Sequence, residues 1–227
     1  MLISDMLNGF RKSKRKKIMI ERKKQLNNNN FTIFSSNCMA GILYHDFNLQ
    51  FNSPTINMYM TPGDFLKFCK NPMNYTGEDM KLIENTPYIK VINSDIILHC
   101  LHYSSFEEVK EKWASRFKRI NWDNIYVIMV ERDGCTYNQL QEFDQLCYEN
   151  KVVFVHKEMP EIESAVYLSG TETKGDSYHY VQGLTNWKGH FSGERLMDAF
   201  DFVEFINNGI NYKNVVRGSY FGNKKIY

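Results

Sequence analysis

An α/β fold, with a mixed or mainly parallel sheet flanked by helices and a basic helical arm at the N-terminus, is the architecture this sequence predicts. Three observations predict it. From Phe31 onward, short apolar runs rich in β-branched and aromatic residues alternate with longer segments of helical period. Two of those runs, Ile125 to Val130 and Lys151 to His156, flank a helical stretch, giving a strand, helix, strand unit of the kind that crosses over right-handed between parallel strands. Before Phe31, all nine Lys and Arg residues of the first 30 positions crowd into Arg11 to Lys24, the run RKSKRKKIMIERKK. The 227 residues are 43% hydrophobic and 15% aromatic, enough to build a core, which excludes intrinsic disorder.

The arm, residues 1–30, carries a net charge of +7 and ends in the Asn27 to Asn30 spacer, whereas residues 31–227, taken as a single α/β domain, carry −5. Leu2, Ile3, Met6, Leu7 and Phe10 recur at helical spacing ahead of the cations, a pattern that suits contact with an anionic membrane surface, a partner, or the protein's own body. No aromatic residue is interleaved among the cations, so bases have nothing to stack on and nucleic acid is not an expected partner.

In the body, Phe31 to Ser36 is a strand, Met39 to Phe47 a short helix, and Thr55 to Met60 a second strand after the turn residues Asn52, Ser53 and Pro54. Pro62, Gly63 and Asp64 open a helix, and Asn71 to Pro87 is helix and loop. Tyr88 to Tyr103 is extended, as two strands broken near Asn93 and Ser94. Ser104 followed by Glu107 forms a capping box for a helix to about Arg119, whose buried face carries Phe106, Val109, Trp113, Phe117 and Ile120. Tyr137 to Glu149 is helical, and Ala165 to Leu168 is a strand. Thr171 to Gly189, polar and aromatic with three glycines, is a ligand-facing or mobile loop. A last helix starts at Ser192 or Gly193 and buries Leu196, Phe200, Val203 and Ile206 before Asn207, Asn208 and Gly209 stop it.

No apolar run approaches the roughly 20 residues of a membrane-spanning helix, and no signal-peptide pattern opens the chain, so a cytoplasmic location, peripheral at the inner membrane face if the arm binds lipid, is expected. Cys38, Cys69, Cys100, Cys135 and Cys147 show no C-x-x-C spacing, which supports neither a disulfide framework nor a zinc ribbon. Neither a Walker A sequence nor G-x-G-x-x-G occurs.

Three segments, SSNCMAGILYHDF from Ser35, NSPTINMYM from Asn52 and HYSSFEEVKEKWASRFKRINWDNIYVIMVERDG from His102, together resemble a bacterial domain-of-unknown-function family labelled exopolysaccharide biosynthesis protein. The resemblance covers Phe31 to His156 well, and its most specific piece is Trp113, Arg116, Arg119, Ile120 and Asn121, a W-x-x-R-x-x-R-I-N stretch. Met39 after Asn37-Cys38, and Thr55 after Ser53-Pro54, stand where that family usually has an aromatic residue. The resemblance implies work on surface polysaccharide with a saccharide or sugar-nucleotide substrate. It supplies no mechanism.

The residues themselves offer two chemistries. Cys38 follows a strand and precedes a helix, where the helix N-terminus favours a thiolate, and His102 ends a strand at the sheet edge where ligands bind. In acyl transfer, Cys38 is the nucleophile, His102 the base and Asn37 an oxyanion donor. In glycosyl transfer, Glu131 and Asp133 hold a divalent cation on a sugar nucleotide, with Trp113, Arg116, Arg119 and Asn121 facing substrate and the two arginines on its diphosphate. A non-catalytic scaffold that binds carbohydrate or a membrane surface is the alternative from another class.

Overall fold

The computed structural model describes residues 3–209 of the chain. Helix α1 (Ile3–Lys24) precedes strand β1 (Thr32–Ser35) and helix α2 (Met39–Asp46), and helix α3 (Pro62–Lys70) leads to strands β2 (Met80–Ile83), β3 (Lys90–Asn93) and β4 (Ile96–His99). Helix α4 (Phe106–Phe117), strand β5 (Ile125–Val130), helix α5 (Tyr137–Asp144) and strand β6 (Asn150–Val155) follow, then strand β7 (Ala165–Tyr167) and helix α6 (Phe202–Asn208).

The main sheet has the order β1-β5-β6-β7 with every neighbouring pair parallel, in register Thr32↔Ile125, Tyr126↔Asn150 and Val153↔Ala165. Continuous apolar strands are required because both faces are covered. Ile33, Tyr126, Ile128, Val130, Val152 and Phe154 point into one core with α2 and α6. Their neighbours Phe34, Val127, Met129, Val153 and Val155 point into a second core with α3, α4 and α5. The antiparallel sheet β2-β3-β4 adds Val91, Ile96 and Leu98 to that second core. An α/β fold with a mainly parallel sheet is thus what the chain adopts, and β2 is a strand inside the stretch expected as helix and loop.

Three local expectations are corrected. The segment Thr55 to Met60 is not a ladder strand. It runs along the free edge of β1 and satisfies that edge through side chains: Ser35 N–H donates to Thr55 Oγ1 at 3.0 Å, and Thr32 Oγ1 donates to Asn52 O at 3.0 Å. The Ser53 and Thr55 hydroxyls lie 3.1 Å apart and Asn57 is left-handed at φ 61°, so local side-chain bonding has displaced the ladder. The α4 cap is one residue later than expected, with Glu108 N–H donating to Ser105 Oγ at 3.1 Å while Glu108 Oε2 accepts from Ser104 N–H at 3.0 Å. The last helix is broken, because Asp201 caps α6 by accepting from Val203 and Glu204 amides, leaving Leu196–Ala199 as a separate 3-10 turn.

Helix α1 lies on the body. Arg15 is buried and ion-paired to Asp46, and its Nη1 donates to Asp198 Oδ2 at 2.7 Å. Arg22 reaches Asp198 at 2.8 Å and Glu194 at 3.0 Å. Phe10 meets Phe191 edge-on at 6.2 Å, and Met19 and Leu26 are buried. Lys12, Lys16 and Lys17 stay exposed. Leu2 and the side chain of Ile3, counted in the apolar spacing of the arm, lie outside the described residues. Among the described residues no helix is long and apolar enough to cross a membrane.

Candidate active site

The carboxyl ends of β1, β5 and β6 meet at one edge of the parallel sheet, the edge at which open α/β sheets place ligands. At the end of β1 the chain turns directly into α2. Asn37 Oδ1 accepts from Met39 N–H at 3.1 Å, which occupies one free amide of the first turn and leaves the Asn37 Nδ2 group as a donor. Cys38 is the N-cap residue, and its thiol makes no capping bond. Burial pushes the Cys38 thiol up from its ordinary pKa, and the Arg132 cation pulls it partly back. Desolvation of the half-buried site thus opposes the thiolate that the helix terminus is expected to favour.

Cys38 opens into a cavity of about 500 Å³ whose other walls are Gly41, Ile42, His45 and Asp46 of α2, together with Phe51, Asn57, His102 and Arg195. His102, on the turn after β4, is exposed and lines the same cavity as Cys38. Two of the three residues expected for acyl transfer, Cys38 and His102, thus line one cavity, whereas Asn37, next to Cys38 in the chain, is not among its lining residues.

The end of β5 is built differently. Glu131 is buried, and its Oε2 accepts from His156 N–H at 2.9 Å and lies 2.7 Å from His156 Nδ1. Asp133 lies 3.1 Å from His179 Nδ1 and 3.0 Å from Arg132 Nε. Segment 176–181 closes over this edge, with Gly134 N–H donating to Tyr178 O at 2.8 Å, Val181 N–H to Glu131 O at 3.0 Å, and Tyr180 stacked on His156 at 4.5 Å. Gly134 holds a φ of 78°, which favours glycine, and a Cβ there would come 3.0 Å from the Tyr178 ring. Each carboxylate is committed to its own imidazole. Among the described residues no group of three His, Cys, Asp or Glu side chains is placed to hold a metal ion.

The W-x-x-R-x-x-R-I-N residues hold elements together. Trp113 is fully buried and donates from Nε1 to Tyr75 O at 2.8 Å. Arg116, also buried, donates to Tyr103 Oη at 2.6 Å and lies over the Phe51 ring at 5.3 Å. Arg119 donates through Nε and Nη2 to Phe51 O at 3.1 and 2.9 Å, and Asn121 Nδ2 donates to Asn30 O at 2.8 Å. These four side chains are spent on backbone carbonyls and a tyrosine rather than on the cavity.

Sequence reasoning missed His156, His179 and Arg195. His156 was legible only as the last residue of an apolar strand, and the polar aromatic composition of 171–189 was the signal for His179. Nothing local marks Arg195 as a site residue, because two of the charges that act on it, Arg15 of α1 and Asp46 of α2, lie far away in the sequence.

Comparison with known proteins now places the chain. A family model described as Domain of unknown function (DUF1919) matches residues 9–207. The chain belongs to the DUF1919 family. It is similar to an uncharacterized protein of Haemophilus influenzae, 34% identical over 213 residues, which are 89% of this chain and 100% of that protein. The DUF1919 match runs from within α1 to the last turn of α6, so Cys38, His102 and Arg195 all lie inside it.

Proposed function

We propose that this DUF1919 protein is an acyltransferase that works through a covalent Cys38 intermediate. The observation that carries the reading is that Cys38 and His102 line one cavity, at the carboxyl end of an edge strand. In the first half-reaction His102 takes the Cys38 proton, the sulfur attacks the carbonyl carbon of a thioester donor, and Asn37 Nδ2 donates to the oxyanion. The C–S bond of the donor breaks, and the departing thiol recovers the proton from the imidazolium. In the second, an acceptor hydroxyl gives its proton to His102 and attacks the acyl-cysteine, which regenerates the thiol. A saccharide hydroxyl as acceptor is supported by the resemblance to the exopolysaccharide-labelled family alone.

Glycosyl transfer is less well supported, because Glu131 and Asp133 are each paired to a different histidine and neither Arg116 nor Arg119 lines the cavity. Intact-mass measurement after incubation with acetyl-coenzyme A tests the proposal. A gain of one acyl group is expected in the wild type, absent in Cys38→Ala and formed about 10²- to 10⁴-fold more slowly in His102→Gln. An adduct that survives in Cys38→Ala, or no adduct with any thioester tried, overturns it, and the second outcome passes the function to the scaffold reading.

A further inference from the structure

Four cations and three carboxylates meet where α1, α2 and segment 187–198 converge. Asp46 is taken by Arg15, and Asp198 by Arg15 and Arg22. Glu194 is taken by Arg22 and, at 3.5 Å, by Lys188. Among the described residues no carboxylate forms an ion pair with the fourth cation, Arg195. Its Nε is buried without a hydrogen-bond partner, and its guanidinium lies over the Trp187 ring at 5.3 Å. That side chain forms part of the cavity wall that also carries Cys38.

We propose that Arg195 is an anion-binding residue, and that the cavity takes a phosphate-bearing ligand whose phosphate it clamps. Two N–H groups of a planar guanidinium match two phosphate oxygens, and an unpaired one in a half-buried wall is an incomplete pair that a ligand anion completes. Burial and the neighbouring Arg15 cation weigh against the charged form of Arg195 and outweigh the opposing pull of Asp46 and Asp198, holding its pKa below the ordinary value. The protein thus keeps a cation where its own surroundings disfavour it. The remaining wall is suited to the rest of such a ligand, with Ile42 and Phe51 for apolar contact, and the volume lies within the range of about 300–1,000 Å³ found for small-molecule sites. That the anion belongs to the acyl donor rests on the acyl-transfer reading; the anion site itself does not.

Calorimetric titration of the full chain with inorganic phosphate, coenzyme A, dephospho-coenzyme A and pantetheine tests the proposal and separates its sources. Coenzyme A is expected to bind at least about tenfold more tightly than pantetheine, the loss of one charge-assisted contact. Dephospho-coenzyme A matching coenzyme A assigns the clamp to the diphosphate, and matching pantetheine assigns it to the ribose phosphate. In Arg195→Met the advantage over pantetheine disappears while the ligand-free melting temperature is not lowered, because a disfavoured cation has been removed; a purely structural arginine would show the reverse. Should Arg195→Met fail to fold, Arg195→Lys, which keeps charge and loses the fork, is expected to weaken coenzyme A binding severalfold. Equal binding of coenzyme A and pantetheine by the wild type, or unchanged coenzyme A binding in the Arg195 variant, overturns the anion site. A missing acyl adduct with phosphate binding intact overturns only the transfer reading, so the two failures are distinguishable.

Discussion

Tyr59 and His99 stack with ring centroids 4.2 Å apart, and the Tyr88 hydroxyl lies 3.0 Å from His99 Nδ1 and 3.1 Å from the Tyr59 hydroxyl. Burial, seconded by the Lys90 cation, lowers the His99 pKa from its ordinary 6.5, against the weaker opposing pull of Asp64 and Asp133. A base held neutral by the fold binds fewer protons than the unfolded chain does below pH 6.5. Its contribution to stability is therefore present above that pH and lost as pH falls toward the folded value. Denaturant midpoints of the wild type should decline below about pH 6.5. In His99→Gln the decline should be shallower; identical slopes would remove His99 as its source. Cys38 gives a second prediction at this scale. With burial raising its pKa and Arg132 opposing, iodoacetamide labelling of Cys38 should quicken as pH rises, and Arg132→Gln should move that rise to higher pH. An unmoved profile would mean that Arg132 does not act on the thiol.

Elements with a strong local signal were legible, and those decided by neighbours were not. Ile125 to Val130 and Lys151 to His156 read as strands because a sheet covered on both faces demands unbroken apolar residues, and β5 and β6 match them within a residue. The stretch Thr55 to Met60 carries strand-like residues too, yet its Thr55 hydroxyl bonds the β1 edge, a partner 20 residues away that no local pattern announces. In the site, Cys38 and Asn37 could be placed from a strand-to-helix boundary, whereas Arg195 owes its isolation to Arg15, 180 positions earlier. The docking of α1 was one of several options for a basic arm, and the structure shows how it is fixed. A Cβ on Gly193 would come 2.7 Å from Arg15 N and 2.8 Å from Lys14 C, backbone atoms that cannot rotate away. Gly193→Ala should thus lift α1 and destabilise the fold by about 1–3 kcal/mol, as overpacking does. Arg15→Met leaves Asp46 buried without its partner and should cost about 3–5 kcal/mol, with Asp46→Asn on that background restoring part of it. Urea unfolding followed by circular dichroism measures both. Wild-type stability in Arg15→Met would show that α1 is not anchored by this pair.

The same strands serve both cores, since alternate residues of β5 and β6 face opposite layers, so neither layer can lose its packing without exposing the sheet it shares. One cooperative transition follows from that arrangement. The three tryptophans allow it to be checked layer by layer. Trp113 sits in the core with α3, α4 and α5, Trp187 lies beside Arg195 near the docked α1, and Trp122 is exposed. A Trp122→Phe/Trp187→Phe protein therefore reports only on the α4 layer, and a Trp113→Phe/Trp122→Phe protein only on the α1 side. The second will be less stable, because the Trp113 hydrogen bond to Tyr75 O is lost, so each variant is compared with its own far-ultraviolet circular dichroism rather than with the other. Coincident fluorescence and dichroism midpoints are expected within each variant. If Trp187 instead reports an earlier transition than the backbone does, the α1 side opens by itself, and the ion pairs of Arg15 and Arg22 would then govern access to the cavity that holds Cys38, rather than the stability of the whole.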